Sequence, residues 1–457
     1  MKQQDIQHLY WRAGFGVTPD LLNNLSNLDK HQVVNELFQK SSRPSRLEID
    51  TSELEHYTLK SLLKNKSKRR EFITKSTDKL KVFNTLWVNR LVTTDELLRE
   101  KMTLFWANHF VCRDTNIFHI QQYNNTIRNN ALGDFGDFVK AISKEAAMIK
   151  YLNNKQNRKQ KPNENFAREL MELFTLGEGH YTEEDIKESA RAFTGYSHDF
   201  EGEFVLRKRR HDYGFKTFFD HTGRYDGDDI IDMILEQKQC ARFICRKIYS
   251  YFVNEIIDEH KVEELATVFY KDYNIENLMR HLFMSDWFYD EVHIGSKIKS
   301  PIEFLVGMTR TVPVEFKKTK DVLKIQKLLG QILLNPPNVA GWKGGKSWID
   351  SNTIMLRLKL PSILLANAKI SIKEKGEFKD SFEKYYSKKN ENRFVSVKID
   401  WETFEKRYSN SSFDDLKHQL IIPELSDGTK TYLKTLSQNS KRNFCVQLMS
   451  LPEYQMC

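Results

Sequence analysis

The richest chemistry in the sequence lies in NENFARELMELFTLG, Asn163 to Gly177. At about 100° per residue, Asn165, Arg168, Glu169 and Glu172 share one arc of a helix, about 100° wide. Arg168 stands four residues after Glu164 and four before Glu172, so each pair can form an ion pair along the helix. Glu169 and Glu172 are three apart, and both carboxylates could reach one cation or one substrate hydroxyl. An arginine between them would hold them ionised. Such a cluster could bind a hard divalent cation or act in acid/base catalysis. The plainer reading is a salt-bridged polar face. Glu169 borders the apolar stripe of Phe166, Leu170, Leu173 and Phe174, which ranks this helix first.

Two further places carry candidate chemistry. Asn108 and His109 sit in a stretch that is apolar around its whole circumference, where a buried polar side chain must find a partner. They therefore belong either to a buried structural network or to a site, and Arg99 and Glu100 could join that network. His211-Asp212, with Lys216, could supply a base and its orienter, although sequence neighbours on a strand rarely face each other. Surface turn residues are the alternative. Asp226, Asp228, Asp229 and Asp232 read as helix-start carboxylates, because the later positions of a calcium loop are not filled. Asn338, Gly341, Trp342 and Trp348 read as a turn packed by two indoles, or as a ligand-binding loop.

The elements that must position these residues are mostly helical. Thr18-Pro19 marks a helix start. The pattern is helical from Asp78 to Val111, and the stretch from Leu97 onward predicts a buried helix. The helix from Asn163 is stopped by Gly177 and Gly179. Thr182, three residues before Asp185, opens another through Phe193. Alternation around Phe204, Leu206, Phe218 and Phe219 predicts a small β-hairpin within residues 204–219. Asn335-Pro336-Pro337-Asn338 is a turn. Residues 370–398 are rich in Lys and Glu and read as a linker or surface excursion.

Composition agrees with a folded chain. Of 457 residues, 40% are hydrophobic and 29% charged, with 30 Phe, 18 Tyr and 7 Trp; that is enough to fill a core. The net charge of +9 permits anionic partners. Its densest run, Lys60 to Lys81, lacks the signature of a nucleic-acid fold, so nucleic acid is not the expected partner. Five cysteines without a CxxC pair argue against a disulfide framework or a zinc ribbon. No run of about 18 apolar residues occurs. No Walker loop, GxGxxG, HExxH or GxSxG is present, which removes support for nucleotide hydrolysis, Rossmann redox chemistry, zincin proteolysis and α/β-hydrolase chemistry.

Six ordered blocks resemble one bacterial family. They are REKMTLFWANHF (Arg99 to Phe110), NENFARELMELFTLG, RAFTGY (Arg191 to Tyr196), HDYGFKT (His211 to Thr217), GRYDGDDIIDMILEQ (Gly223 to Gln237) and NPPNVAGWKGGKSWI (Asn335 to Ile349). The family is catalogued as domain of unknown function 1800, and the resemblance spans about Leu9 to Leu360. It implies no established activity. It implies a context of frequent export signals and of neighbouring genes for a phosphatase- or sulfatase-like protein. No export signal is evident in MKQQDIQHLYWRAGFG, so the cytoplasm is the default setting, with export left open. Some members carry His at the position of Phe174, and a metal reading that needs a ligand there fails in this chain.

The expectation is a mainly α protein with a small hairpin insertion. Residues 1–360 form a helical domain resembling the family, and 361–457 a variable helical part. Two functions compete. In one, Glu169, Glu172 and Arg168 gather with His109 and His211 in a hydrolytic or ligand-binding pocket, with Asn108, Asn165, Asp212, Lys216 and Trp342 contacting the ligand and a divalent metal allowed. In the other, the chain is a non-catalytic partner or scaffold for the phosphatase- or sulfatase-like protein. The blocks converging on one concavity would favour the first, and their dispersal the second.

Overall fold

A computed structural model describes residues 1–366, 395–436, 438 and 440–457. The protein is 61% helical, with 22 helices and three two-stranded antiparallel sheets among the described residues. Most of the expected linker, residues 370–394, lies outside them. No described helix is long and apolar enough to cross a membrane.

The all-apolar stretch folds as the helix Leu97–His109, buried along nearly its whole length. Even its charged residues are inside. Glu100 pairs with Arg128 at 2.6 Å and accepts from the Trp87 indole at 3.1 Å. Arg99 donates instead to the carbonyls of Ser41 and Arg128. In place of the expected link to His109, both residues meet Arg128, Glu100 at its guanidinium and Arg99 at its carbonyl. Lys101 pairs with Glu303, which also accepts from Lys297 at 3.3 Å. All three are buried, and Glu303 is held well below the usual carboxylate range because the two ammoniums outweigh its desolvation.

The expected cap signals are in place. Thr182 and Asp185 form a reciprocal capping box opening Glu183–Ala192. Asp226 caps Gly227–Leu235 with Asp229 closing the box, while Asp228 and Asp232 pair with Lys144 and Lys140. The hairpin region divides in two. β1 (Tyr196–His198) pairs with β2 (Phe204–Leu206), and β3 (Lys216–Phe218) with β4 (His221–Gly223). Between β3 and β4, Phe219 and Asp220 take φ of 46° and 66°, the left-handed geometry of a tight two-residue turn. β5 (Val314–Phe316) pairs with β6 (Val397–Ile399), so the end of the expected linker is a strand.

One continuous apolar core runs from Ile6 to Tyr454. The expected boundary after residue 360 falls inside the helix Ser351–Leu365. Its Arg357 bonds Gln455 and the Lys299 carbonyl, and the Lys297 and Cys457 backbones bond each other in both directions.

Candidate functional site

The helix that carries the acidic candidates begins as an α-helix, Asn165–Glu169, and continues as a wider π-helix, Leu170–Thr175. A π-turn shifts each bond by one residue. Leu176 N–H reaches back to the Met171 carbonyl at 2.8 Å, and the Thr175 hydroxyl to Leu170 at 2.6 Å. The carbonyls of Leu173, Phe174 and Leu176 are taken by side chains. Lys247 donates to Leu173 at 2.7 Å, His109 Nε2 to Phe174 at 3.0 Å, and Gln239 to Leu176 at 2.9 Å. Wide turns of this kind are frequent at functional sites. Here the turn is closed from outside by three donors, one of them an ammonium placed where the helix dipole is negative.

That geometry fixes the role of His109. Nε2 must carry the proton to bond a carbonyl, so Nδ1 is left as an acceptor and faces Lys247 Nζ at 3.3 Å. Burial, and next the nearby ammonium, push the ring well below its usual pKa, so it is neutral. Burial likewise lowers Lys247 to about 8. Both ring nitrogens are used, and neither is left for Glu169 or Glu172. Asn108, one residue earlier, clamps the loop that follows the double proline. Its Nδ2 donates to the Trp342 carbonyl at 3.1 Å, and Trp342 N–H donates back to Oδ1 at 2.8 Å. Gly341 takes φ +76°, and a Cβ there would lie 2.8 Å from the Asn108 carbonyl oxygen, so only glycine fits. Beneath this loop is a crevice of about 20 Å³ lined by Trp87, Leu104, Cys112, Tyr123, Pro336 and Trp342. It has room for about one water molecule.

Arg168 keeps one expected partner, Glu164, and takes Glu183 in place of Glu172. It forms two 3.0 Å bonds to Glu183 and one of 3.2 Å to Glu164, which raise its pKa further. Asn165 is exposed at the helix start. Glu169 and Glu172 remain half-buried and mutually repelling. Partial burial, then Glu172, raises the Glu169 carboxyl. Glu172 accepts from the Tyr181 hydroxyl at 3.1 Å, and burial with that bond pushes Tyr181 up to about 12.

His211, Asp212 and Lys216 form a third and separate cage. His211 Nδ1 donates to the Thr194 carbonyl at 2.7 Å, and the Thr194 hydroxyl accepts from Asp212 N–H at 2.8 Å. The Asp212 carboxylate pairs with Arg191 at 2.9 Å and accepts from Gly214 N–H. Lys216, buried, donates to the carbonyls of Asp212 and Gly214. RAFTGY and HDYGFKT are therefore two halves of one lock, and Gly195 is needed because a Cβ would lie 2.9 Å from the Arg207 carbonyl. Gly195 N–H bonds the Asn157 carbonyl, and the Asn157 side chain accepts from Asn163 N–H. The cage is thus tied through Asn157 to the start of the Asn165 helix, and His109 is bonded at its end.

Two groups escape a reading of spacing alone. Lys247 lies on the helix Lys238–Phe252 in the run Phe243, Lys247, Tyr251, an i, i+4, i+8 stripe beside the main apolar arc, and that stripe was the available signal. Asp114 and His119 form a buried pair at 2.8 Å. Burial alone would raise Asp114, but His119 and Lys150 outweigh it and leave the carboxyl lowered. Asn116 occupies the other nitrogen of His119 at 3.0 Å. Among the described residues, no group of three or more His, Cys, Asp or Glu side chains is placed to hold a metal ion. Glu169 and Glu172 would give a cation two protein ligands at most.

No curated protein and no solved structure matches the chain. A family model does, from residue 8 to residue 456, reaching well past the last of the six blocks. The chain belongs to the family described as protein of unknown function (DUF1800).

Proposed function

We propose that this protein is a non-catalytic binding scaffold whose polar blocks are structural locks. One observation carries the reading: apart from Asn165, Glu169 and Glu172, the candidate polar groups are bonded within the chain, in separate networks. Asn108 holds the Trp342 loop, His109 holds the π-turn, His211 holds the Thr194 carbonyl, and Lys216 holds the carbonyls of Asp212 and Gly214. A catalytic base needs a free nitrogen or oxygen beside the substrate, and His109 offers none. The family resemblance supplies the partner class, a phosphatase- or sulfatase-like protein.

A second reading rests on Glu169 and Glu172. They are the candidates left half-open, with one carboxyl raised and Tyr181 beside the other. They would form a ligand-binding or hydrolytic face. A panel of phosphate, sulfate, ester and glycoside substrates, run on wild type and Glu172→Gln, separates the two. The scaffold reading expects no turnover that depends on Glu172. Turnover lost in Glu172→Gln, with stability unchanged, would replace it by the second.

A further inference from the structure

The corner between the helices Leu59–Lys64 and Lys66–Thr93 is unlike the rest of the surface. Every residue from Leu63 to Glu71 is exposed, so the first turns of the long helix stand clear of the body. That helix is anchored from Phe72 and Ser76 onward, and then by Phe83, Trp87, Val88 and Leu91. The tip carries Lys60, Lys64, Lys66, Lys68, Arg69 and Arg70, and among the described residues no carboxylate pairs with any of them. The next cations along the helix are paired, Lys75 with Glu71, Lys79 with Glu53 and Lys81 with Asp78. Two large apolar side chains share the tip, Leu59 at 52% and Leu63 at 73% exposure, one helical turn apart, and Ile73 is exposed on the second helix. At about 100° per residue, Lys66, Arg69, Arg70 and Ile73 fall on one arc about 100° wide.

We propose that this tip docks on an anionic lipid surface. The inference is independent of the partner reading and adds a place where the scaffold works. Unpaired cations beside exposed leucines on a projecting corner match a bilayer interface, where ammonium groups sit at the phosphate level and apolar side chains enter below it. Four of the six cations are lysines, point charges on flexible stems that suit a diffuse layer of phosphates better than a fixed carboxylate geometry. A projecting corner offers a peptide no groove, but it meets a flat surface well.

The test is co-sedimentation of the full chain with vesicles of equimolar phosphatidylglycerol and phosphatidylcholine, against phosphatidylcholine alone. Wild type should sediment with the anionic vesicles only, and less at high salt. Each cation removed should weaken partitioning about fivefold, so Lys66→Glu/Lys68→Glu/Arg69→Glu/Arg70→Glu should fall to the phosphatidylcholine level. Leu59→Ser/Leu63→Ser should bind about tenfold more weakly. All six positions are exposed, and an unchanged melting temperature shows that any loss is not unfolding. No sedimentation of wild type, or equal sedimentation of the fourfold variant, would overturn the proposal. So would a leucine variant that binds like wild type. Displacement of wild type by poly-glutamate would then assign the patch to acidic polymers.

Discussion

Asn108→Ala removes the clamp on the loop that ends the family's last block. The side chain makes two bonds to one residue, accepting from Trp342 N–H at 2.8 Å and donating to its carbonyl at 3.1 Å. Each is worth about 1 kcal/mol net, and Trp342 is only half-buried, so water can take over part of what is lost. The expected cost is therefore about 2 kcal/mol, expressed locally as opening of the loop. Hydrogen exchange reads that opening directly, and about 2 kcal/mol corresponds to roughly 30-fold faster exchange of the Trp342 amide. Asn108→Asp keeps the acceptor for Trp342 N–H and loses the donor, so it should give an intermediate acceleration, about fivefold. Exchange in Asn108→Ala within about threefold of wild type would refute the assignment of Asn108 as the clamp.

Other consequences follow from the buried charges. Lys247 titrates near 8 in the fold against 10.5 in the open chain. Between those values the unfolded chain keeps a proton that the folded chain has released, so stability rises with pH, by at most about 1.4 kcal/mol per unit. Urea denaturation of wild type and Lys247→Met should therefore diverge in favour of wild type as pH increases from about 8, and parallel profiles would contradict the burial of this ammonium. His109 is neutral in the fold, and burial lowers His198 to about 4. The open chain takes up protons on both below about pH 6.5, so stability should fall on acidification, and His109→Gln should flatten part of that loss. Glu303→Gln leaves Lys101 and Lys297 buried without their counter-charge and should cost about 3–5 kcal/mol, read as a lowered urea midpoint or as insoluble protein. Metal analysis of the purified chain should find no stoichiometric divalent cation, before or after Glu172→Gln; a full equivalent lost in that variant would establish a centre on the Asn165 helix.

The fold was legible where local patterns decide it. Leu97–His109 announces its burial because apolar residues surround the helix, and the Thr182–Asp185 and Asp226–Asp229 boxes announce helix starts because the caps are local bonds. The hairpins were harder. Strands of three residues carry almost no alternation, and the turn at Phe219-Asp220 lacks the Asn or Gly that usually marks one, so two hairpins read as one. The site was less legible still. Spacing placed Glu169 and Glu172 on one arc and placed Arg168 with Glu164, and the structure keeps both arrangements. Spacing could not show that Arg168 also reaches Glu183, on the following helix. Nor could it show that His109 ends at a carbonyl, because that bond depends on a π-turn 65 residues away. His211 and Asp212 are sequence neighbours with different partners, Thr194 and Arg191, as the weakness of adjacent dyads on extended chain anticipates. For Lys247 the Phe243, Lys247, Tyr251 stripe hinted at burial, but its carbonyl and imidazole partners lie on other elements.

The most direct test of the scaffold reading is co-purification of the tagged full chain with a phosphatase- or sulfatase-like protein of the same cell, followed by size-exclusion chromatography. The account predicts a stable complex that survives Glu172→Gln, because binding does not draw on that carboxylate as a catalyst. Absence of a complex, together with substrate turnover that disappears in Glu172→Gln, would contradict it.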